Sequence, residues 1–254
     1  MKKVLISTAS VLVLASVIGT TYYLTKEKTY KTSEIKCDFD AGMCYDLKGK
    51  PITGRIKNYD KETLISDIQY KNGKEDGELK IYRNDGKLFL EGTYKEGKPD
   101  GIIKEYNEDG SLLSHDEFKN GLLHGRSIIY FAQDKILKEW NYNMGKETGI
   151  GKVYYQNGNP QLEINFTSGE LKYFYEEGNI QTLAHFDDTG YNGLWTIYQK
   201  DGSLKAELTY EKGIGKSGYC KNEDGTTIEF TTDDFSYFAQ TNLTPCDTPQ
   251  TSNE

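Results

Sequence analysis

The sequence predicts an all-β fold: an elongated antiparallel sheet of repeated β-hairpins of about 24 residues, preceded by an apolar N-terminal helix. Three observations predict it. First, one pattern recurs at fixed spacing. Counting from Gly77, a tyrosine follows at Tyr82, a turn glycine at Gly86, a second tyrosine at Tyr94, a further glycine at Gly97, and the next unit opens at Gly101. Second, Asp-Gly and Asn-Gly pairs separate apolar runs, as at Asp85-Gly86 and Asn120-Gly121. They signal hairpins, since a two-residue type I′ turn needs positive φ at both positions. Third, the strands alternate: Leu88, Leu90, Gly92 and Tyr94 share one face, while Lys87, Phe89, Glu91 and Thr93 take the other.

Taken in order, residues 1–30 form a signal peptide or a transmembrane anchor. Lys2 and Lys3 precede an uncharged run from Val4 to Thr25, long enough to cross a bilayer as a helix. Residues 31–53 are a linker and entry cap. Residues 54–217 are the hairpin array. After the unit at Gly77 comes one at Gly101 with Tyr106, Gly110 and Phe118, then one at Gly125 with Tyr130 and Tyr142. In that unit Asp134-Lys135 replaces the turn glycine. The unit at Gly149 has Tyr154 and Gly158 and stops early at Gly169, and the unit at Gly193 restores the pattern with Tyr198, Gly202 and Tyr210. Residues 218–242 are a terminal partial repeat or cap, and residues 243–254, rich in Thr, Pro and Asn, are a disordered tail. A lone hairpin is marginal in water, so neighbouring units must pair edge to edge, and the recurrent tyrosines are expected to stack as a ladder.

Composition narrows the function. The formal charge of −8 disfavours nucleic acid and anionic lipid surfaces as partners. Four cysteines flank the array, Cys37 and Cys44 before it and Cys220 and Cys246 after it, which fits disulfides in an exported protein, periplasmic or at the cell surface. Three pairings are open, the local ones being simplest; the spacings fit no common zinc pattern. No catalytic, cofactor-binding or metal-binding constellation emerges. His115, His124 and His185 fall in different units, and Asp187-Asp188 and Asp233-Asp234 lack the spacing of a calcium loop. An exposed aromatic row could also stack against sugars, the alternative being a glycan binder of the cell envelope.

Gly121-Leu122-Leu123-His124-Gly125 resembles the Gly-x-x-His-Gly signature of MORN repeats, and the joints at Gly73–Gly77, Gly97–Gly101 and Gly145–Gly149 keep its glycine spacing. The Asn-Gly-Lys and Glu-Gly-Lys triplets before the joints are similar to the bacterial variant found in YwqK-type antitoxin components. The resemblance implies a non-enzymatic scaffold that binds a partner protein, and in the antitoxin group neutralises it. The paired cysteines and apolar N-terminus depart from a cytosolic antitoxin.

Overall fold

Alternating side chains and closely spaced turn residues make strand of most of the chain. The computed structural model describes residues 28–38, 40–132 and 134–247. A short strand β1 (Thr29–Lys31) and a hairpin, β2 (Ile35–Asp38) with β3 (Met43–Asp46), come first. The array follows as β4 (Gly54–Asp60), β5 (Thr63–Lys71), β6 (Lys74–Tyr82), β7 (Leu88–Lys95), β8 (Lys98–Tyr106) and β9 (Leu112–Lys119). It continues through β10 (Leu122–Ala132), β11 (Lys135–Asn143), β12 (Lys146–Tyr154), β13 (Pro160–Asn165), β14 (Glu170–Phe174) and β15 (Ile180–Asp187). It ends with β16 (Gly190–Tyr191), β17 (Gly193–Tyr198), β18 (Leu204–Glu211), β19 (Ile214–Lys221) and β20 (Thr227–Glu229), before helix α1 (Thr232–Thr241). All but β2 and β3 join one 18-stranded sheet. Each strand from β4 onward pairs antiparallel with its sequence neighbour, except that β17 reaches past the short β16 to β15. β1 pairs parallel to β4.

The expected fold class needs correction in its helical part. The α-helix lies near the C-terminus, and no helix among the described residues is long and apolar enough to cross a membrane. The apolar run of residues 4–25 lies outside the described residues. Local chemistry explains α1: the Thr231 side chain accepts from Asp234 N–H, and the Asp234 carboxylate accepts from Thr231 N–H at 2.7 Å, a capping box. Asn242, left-handed at φ 57°, closes the helix through its N–H to the Phe238 carbonyl. The tail expected to be disordered from residue 243 is ordered at its start, where Thr244 is buried and Pro245–Asp247 form a 3-10 turn. Residues 248–254 lie outside the described part.

The reversals are of two kinds, alternating along the chain. At Asn84-Asp85-Gly86 only the glycine has positive φ (82°), Gly86 N–H donates to Arg83 O and Arg83 N–H to Lys87 O. This is a three-residue loop, a type I turn plus one left-handed residue, not the expected type I′ turn. At the other edge Glu96 and Gly97 both have positive φ (51° and 79°), the type I′ geometry. These second turns stack on one another: Gly73, Gly97, Gly121 and Gly145 each donate their N–H to a carbonyl of the preceding joint, those of Ile52, Glu75, Pro99 and Leu123.

The unit-opening glycines do not reverse the chain. Gly77, Gly101 and Gly125 lie inside β6, β8 and β10. At Gly101 the register jumps from Gly92 opposite Ile103 to Tyr94 opposite Pro99, so Thr93 faces a bulge. The Thr93 hydroxyl reaches into it and donates to Asp100 O at 2.6 Å. A Cβ on Gly101 would sit 2.1 Å from that hydroxyl oxygen, and φ is +119°. Glycine is required there by close approach and backbone angle together.

The apolar face gathers two cores, one at each end. Tyr30, Cys44, Ile52 and Ile56 form the small first core, which the Cys37–Cys44 disulfide crosses. The larger one joins Leu171, Ala184, Trp195, Ile197, Ala206 and Leu208 of the sheet to Phe238 of α1. Gly215 makes room for the helix, since a Cβ there would meet the Phe235 ring at 2.1 Å. Cys220–Cys246 ties the segment after α1 to β19.

Candidate interaction surface

Opposite residues of an antiparallel pair share a face, so the registers define rows that cross the sheet. One row on the polar face runs Lys57, Asp67, Lys80, Glu91, Lys104, each directly opposite the next. It continues as His115, Ile128, Glu139, Lys152, Glu163 and Lys172. Leu183, Thr196, Glu207, Tyr219 and Glu229 complete it. Cation and anion alternate along most of the row. Lys57 lies 3.3 Å from Asp67, Lys80 3.8 Å from Glu91 and Lys152 3.0 Å from Glu163. Asp67, buried, also receives Arg55 at 3.1 Å. Each exposed pair contributes less than about 1 kcal/mol, but the alternation favours sequence neighbours as partners, because a strand pairing with its next-but-one neighbour would oppose like charges, such as Lys80 and Lys104. The pattern breaks at His115 and Ile128, and again at Leu183 and Thr196.

Tyr106, Tyr154 and Tyr219 bond to this polar row, and among the described residues the repeat tyrosines form no ring ladder. Tyr106 donates its hydroxyl to Glu91 at 2.8 Å, Tyr154 to Glu139 at 2.7 Å, and Tyr219 to Glu207. Burial and the carboxylate beside it push the Tyr106 phenol up to about 12, and the same causes raise Tyr154. Among the described residues the ring contacts are Trp140 with Phe166 and a cluster around Trp195, Tyr210 and Phe238; none joins Tyr82, Tyr106, Tyr130, Tyr154 and Tyr198 to one another.

Beside the charged row lies a second row on the same face, containing Ile102 opposite Glu117, Ile150 opposite Asn165 and Leu194 opposite Thr209. All three follow a unit-opening glycine, and all three are exposed, at 45%, 42% and 47%. Equivalent positions elsewhere carry Glu78 and Arg126. The polar face therefore presents apolar spots in a regular frame of charge.

Of the other residues singled out by sequence, Gly86, Gly110, Gly158 and Gly202 sit in three-residue loops. Gly149 lies inside β12 and Gly193 opens β17, both with positive φ. Cys37 is bonded to Cys44 and Cys220 to Cys246. The structure does not bring the histidines together: His115 lies in the charged row, 3.7 Å from Glu117, His185 is exposed in β15, and the His124 Nδ1 is buried without a partner among the described residues. Asp187 closes its own turn, accepting from Thr189 and Asn192, which together hold its carboxyl below the usual range. Among the described residues no three His, Cys, Asp or Glu side chains gather as a metal site.

The hairpins match the MORN repeat variant. Five segments do so, residues 75–96, 99–120, 147–168, 167–188 and 191–212. The first two matched MORN segments run from joint to joint, so each holds one strand on either side of a three-residue loop. The unit from Gly125, whose turn glycine is replaced by Asp134-Lys135, falls between matched segments. MORN repeats are typically scaffolds that bind proteins or membranes and are generally not enzymes. No curated protein matches the chain. The two disulfides fit an oxidising environment.

Proposed function

We propose that this chain is an exported, non-enzymatic scaffold that binds a partner protein on the polar face of its sheet. The observation that carries the proposal is the recurrence of exposed Ile102, Ile150 and Leu194 at equivalent sites, set in a frame of alternating charge. Scattered apolar anchors within a charged surround supply binding energy and orientation respectively. Export rests on the two disulfides and on the basic, then apolar, N-terminal sequence. The resemblance to YwqK-type components supports an immunity-type outcome, in which binding neutralises the partner.

Affinity capture from the source cell with the full chain, compared with an Ile102→Arg/Ile150→Arg double variant, tests the proposal. One protein should be retained by the former and lost with the latter, while both chains melt alike. Failure to retain any protein, or equal retention by both, would refute it.

A further inference from the structure

The apolar face near α1 is not fully filled. Between the helix and the sheet lies a cavity of about 460 Å³, within the size range of small-molecule sites. Tyr173, Tyr191 and Trp195 line it from the sheet, and Phe238 and Asn242 from the helix and its C-cap. Tyr191 meets Trp195 edge to face, the centroids 4.6 Å apart, so the aromatic walls are fixed relative to one another.

We infer that this cavity is a binding site for a neutral saccharide. Three features select that ligand class. The walls are aromatic, and flat rings pack against the C–H faces of a pyranose. The polar groups are neutral and in part unoccupied: among the described residues neither the half-buried Gln181 amide nor the buried Trp195 indole N–H has a hydrogen-bond partner. A purely apolar ligand would cover such groups without satisfying them, at a cost a hydroxylated ring avoids. The one lining cation, Lys205, is already paired with Asp247. Burial opposes the charge on Asp247, yet Lys205 and the N–H and hydroxyl of Thr244 prevail and hold its carboxyl below the usual range, so Asp247 meets Lys205 as a carboxylate at neutral pH. An ionic ligand would therefore give up hydration with no free counter-charge to meet it.

The site is independent of the proposed protein-binding face, because it opens on the other side of the sheet. Trp195 reports on it directly. In the full chain carrying Trp140→Phe, Trp195 is the sole tryptophan, and its emission is titrated with maltotriose, cellotriose and N,N′,N″-triacetylchitotriose. Calorimetry on the unsubstituted chain repeats each titration, so that a folding defect in the variant does not decide the outcome. At least one neutral trisaccharide should bind saturably, and Gln181→Ala should weaken it by about tenfold or more with an unchanged melt. A trigalacturonate should bind at least about tenfold more weakly than the best neutral sugar. The inference is overturned if no neutral trisaccharide binds at up to about 10 mM, if Gln181→Ala binds as tightly as the parent chain, or if the anionic sugar binds equally well.

Discussion

The stretch from β6 to β12 and the stretch from β15 to β20 use the same hairpin but differ in what covers the apolar face. In the first, Leu79, Ile103 and Trp140 are buried singly, while Leu88 and Leu90 are only half-buried. In the second, Ala206, Leu208 and Cys220 are fully buried beneath Phe235 and Phe238 of α1. Strand pairing is thus local and repeats without help, whereas burial depends on a non-repeated segment that closes one end. The stability of a repeat array is roughly the sum of its units and their neighbour interfaces, and here the capped end contributes more of it than an uncovered unit does.

Matched truncations should expose that difference most strongly. Leu208→Ala removes a side chain with no exposure and is expected to cost about 2–5 kcal/mol. Leu90→Ala, on the same face of an uncovered unit, should cost only about 1 kcal/mol, since much of its surface already meets water. Denaturant unfolding of both variants measures the contrast, and equal losses would mean that α1 does not set the stability of its end.

The Cys220–Cys246 bond should rank next. It closes a loop spanning 26 residues, for which restriction of the unfolded chain is worth about 3 kcal/mol. Replacing both cysteines by serine should lower the melting temperature and raise amide exchange in β18, β19 and α1 while leaving β6 to β9 protected. Uniform loss of protection along the array would show instead that the sheet unfolds as one unit.

How far the sequence disclosed these features depends on the range of the physics. Turn glycines, alternation and the 24-residue spacing from Gly77 to Gly101 act between neighbours, and those were legible. Residues inside α1 were also marked, by the Thr231-to-Asp234 capping pair and by Phe235 and Phe238 three residues apart, but the signal is short and sits where a terminal partial repeat or cap was expected. The role of Gly101 was hidden because a glycine after a Gly-x-x-x spacing reads as a turn; only the cross-strand position of Thr93 shows a bulge. The charged row was present in the sequence as Lys80, Glu91 and Lys104, yet it needs the register, which the bulges displace. The cavity beneath α1 combines residues from β14 to the segment after the helix, and no local pattern predicts that meeting.

The bulges permit a smaller comparison between units. Gly101→Ala would force a left-handed side chain against Thr93 and is expected to cost about 1–3 kcal/mol. Gly149 has φ +62° and open space where a Cβ would sit, so Gly149→Ala should cost about 1 kcal/mol. Adding Thr93→Ser to Gly101→Ala should recover little, because the hydroxyl remains, whereas Thr93→Ala should relieve the clash and leave the backbone angle as the residual cost. Equal penalties at Gly101 and Gly149 would show that close approach contributes nothing.

The smallest expected effect separates the tyrosines of the uncovered sheet by pH. Burial first, and then the hydrogen bond and charge of Glu91, raise the Tyr106 phenol from 10.0 to about 12. A raised folded value favours the protonated phenol in the native state. The stabilisation is therefore complete below the unfolded value near 10 and is lost as pH rises through the folded value near 12. At neutral pH Tyr106→Phe should cost less than about 1 kcal/mol, since the bond lies near solvent. In alkaline titration followed by phenolate absorbance, the same substitution should remove one group from the late-titrating set and flatten the loss of stability between pH 10 and about 12. If the early-titrating set lost that group instead, the Glu91 carboxylate would have no hold on Tyr106.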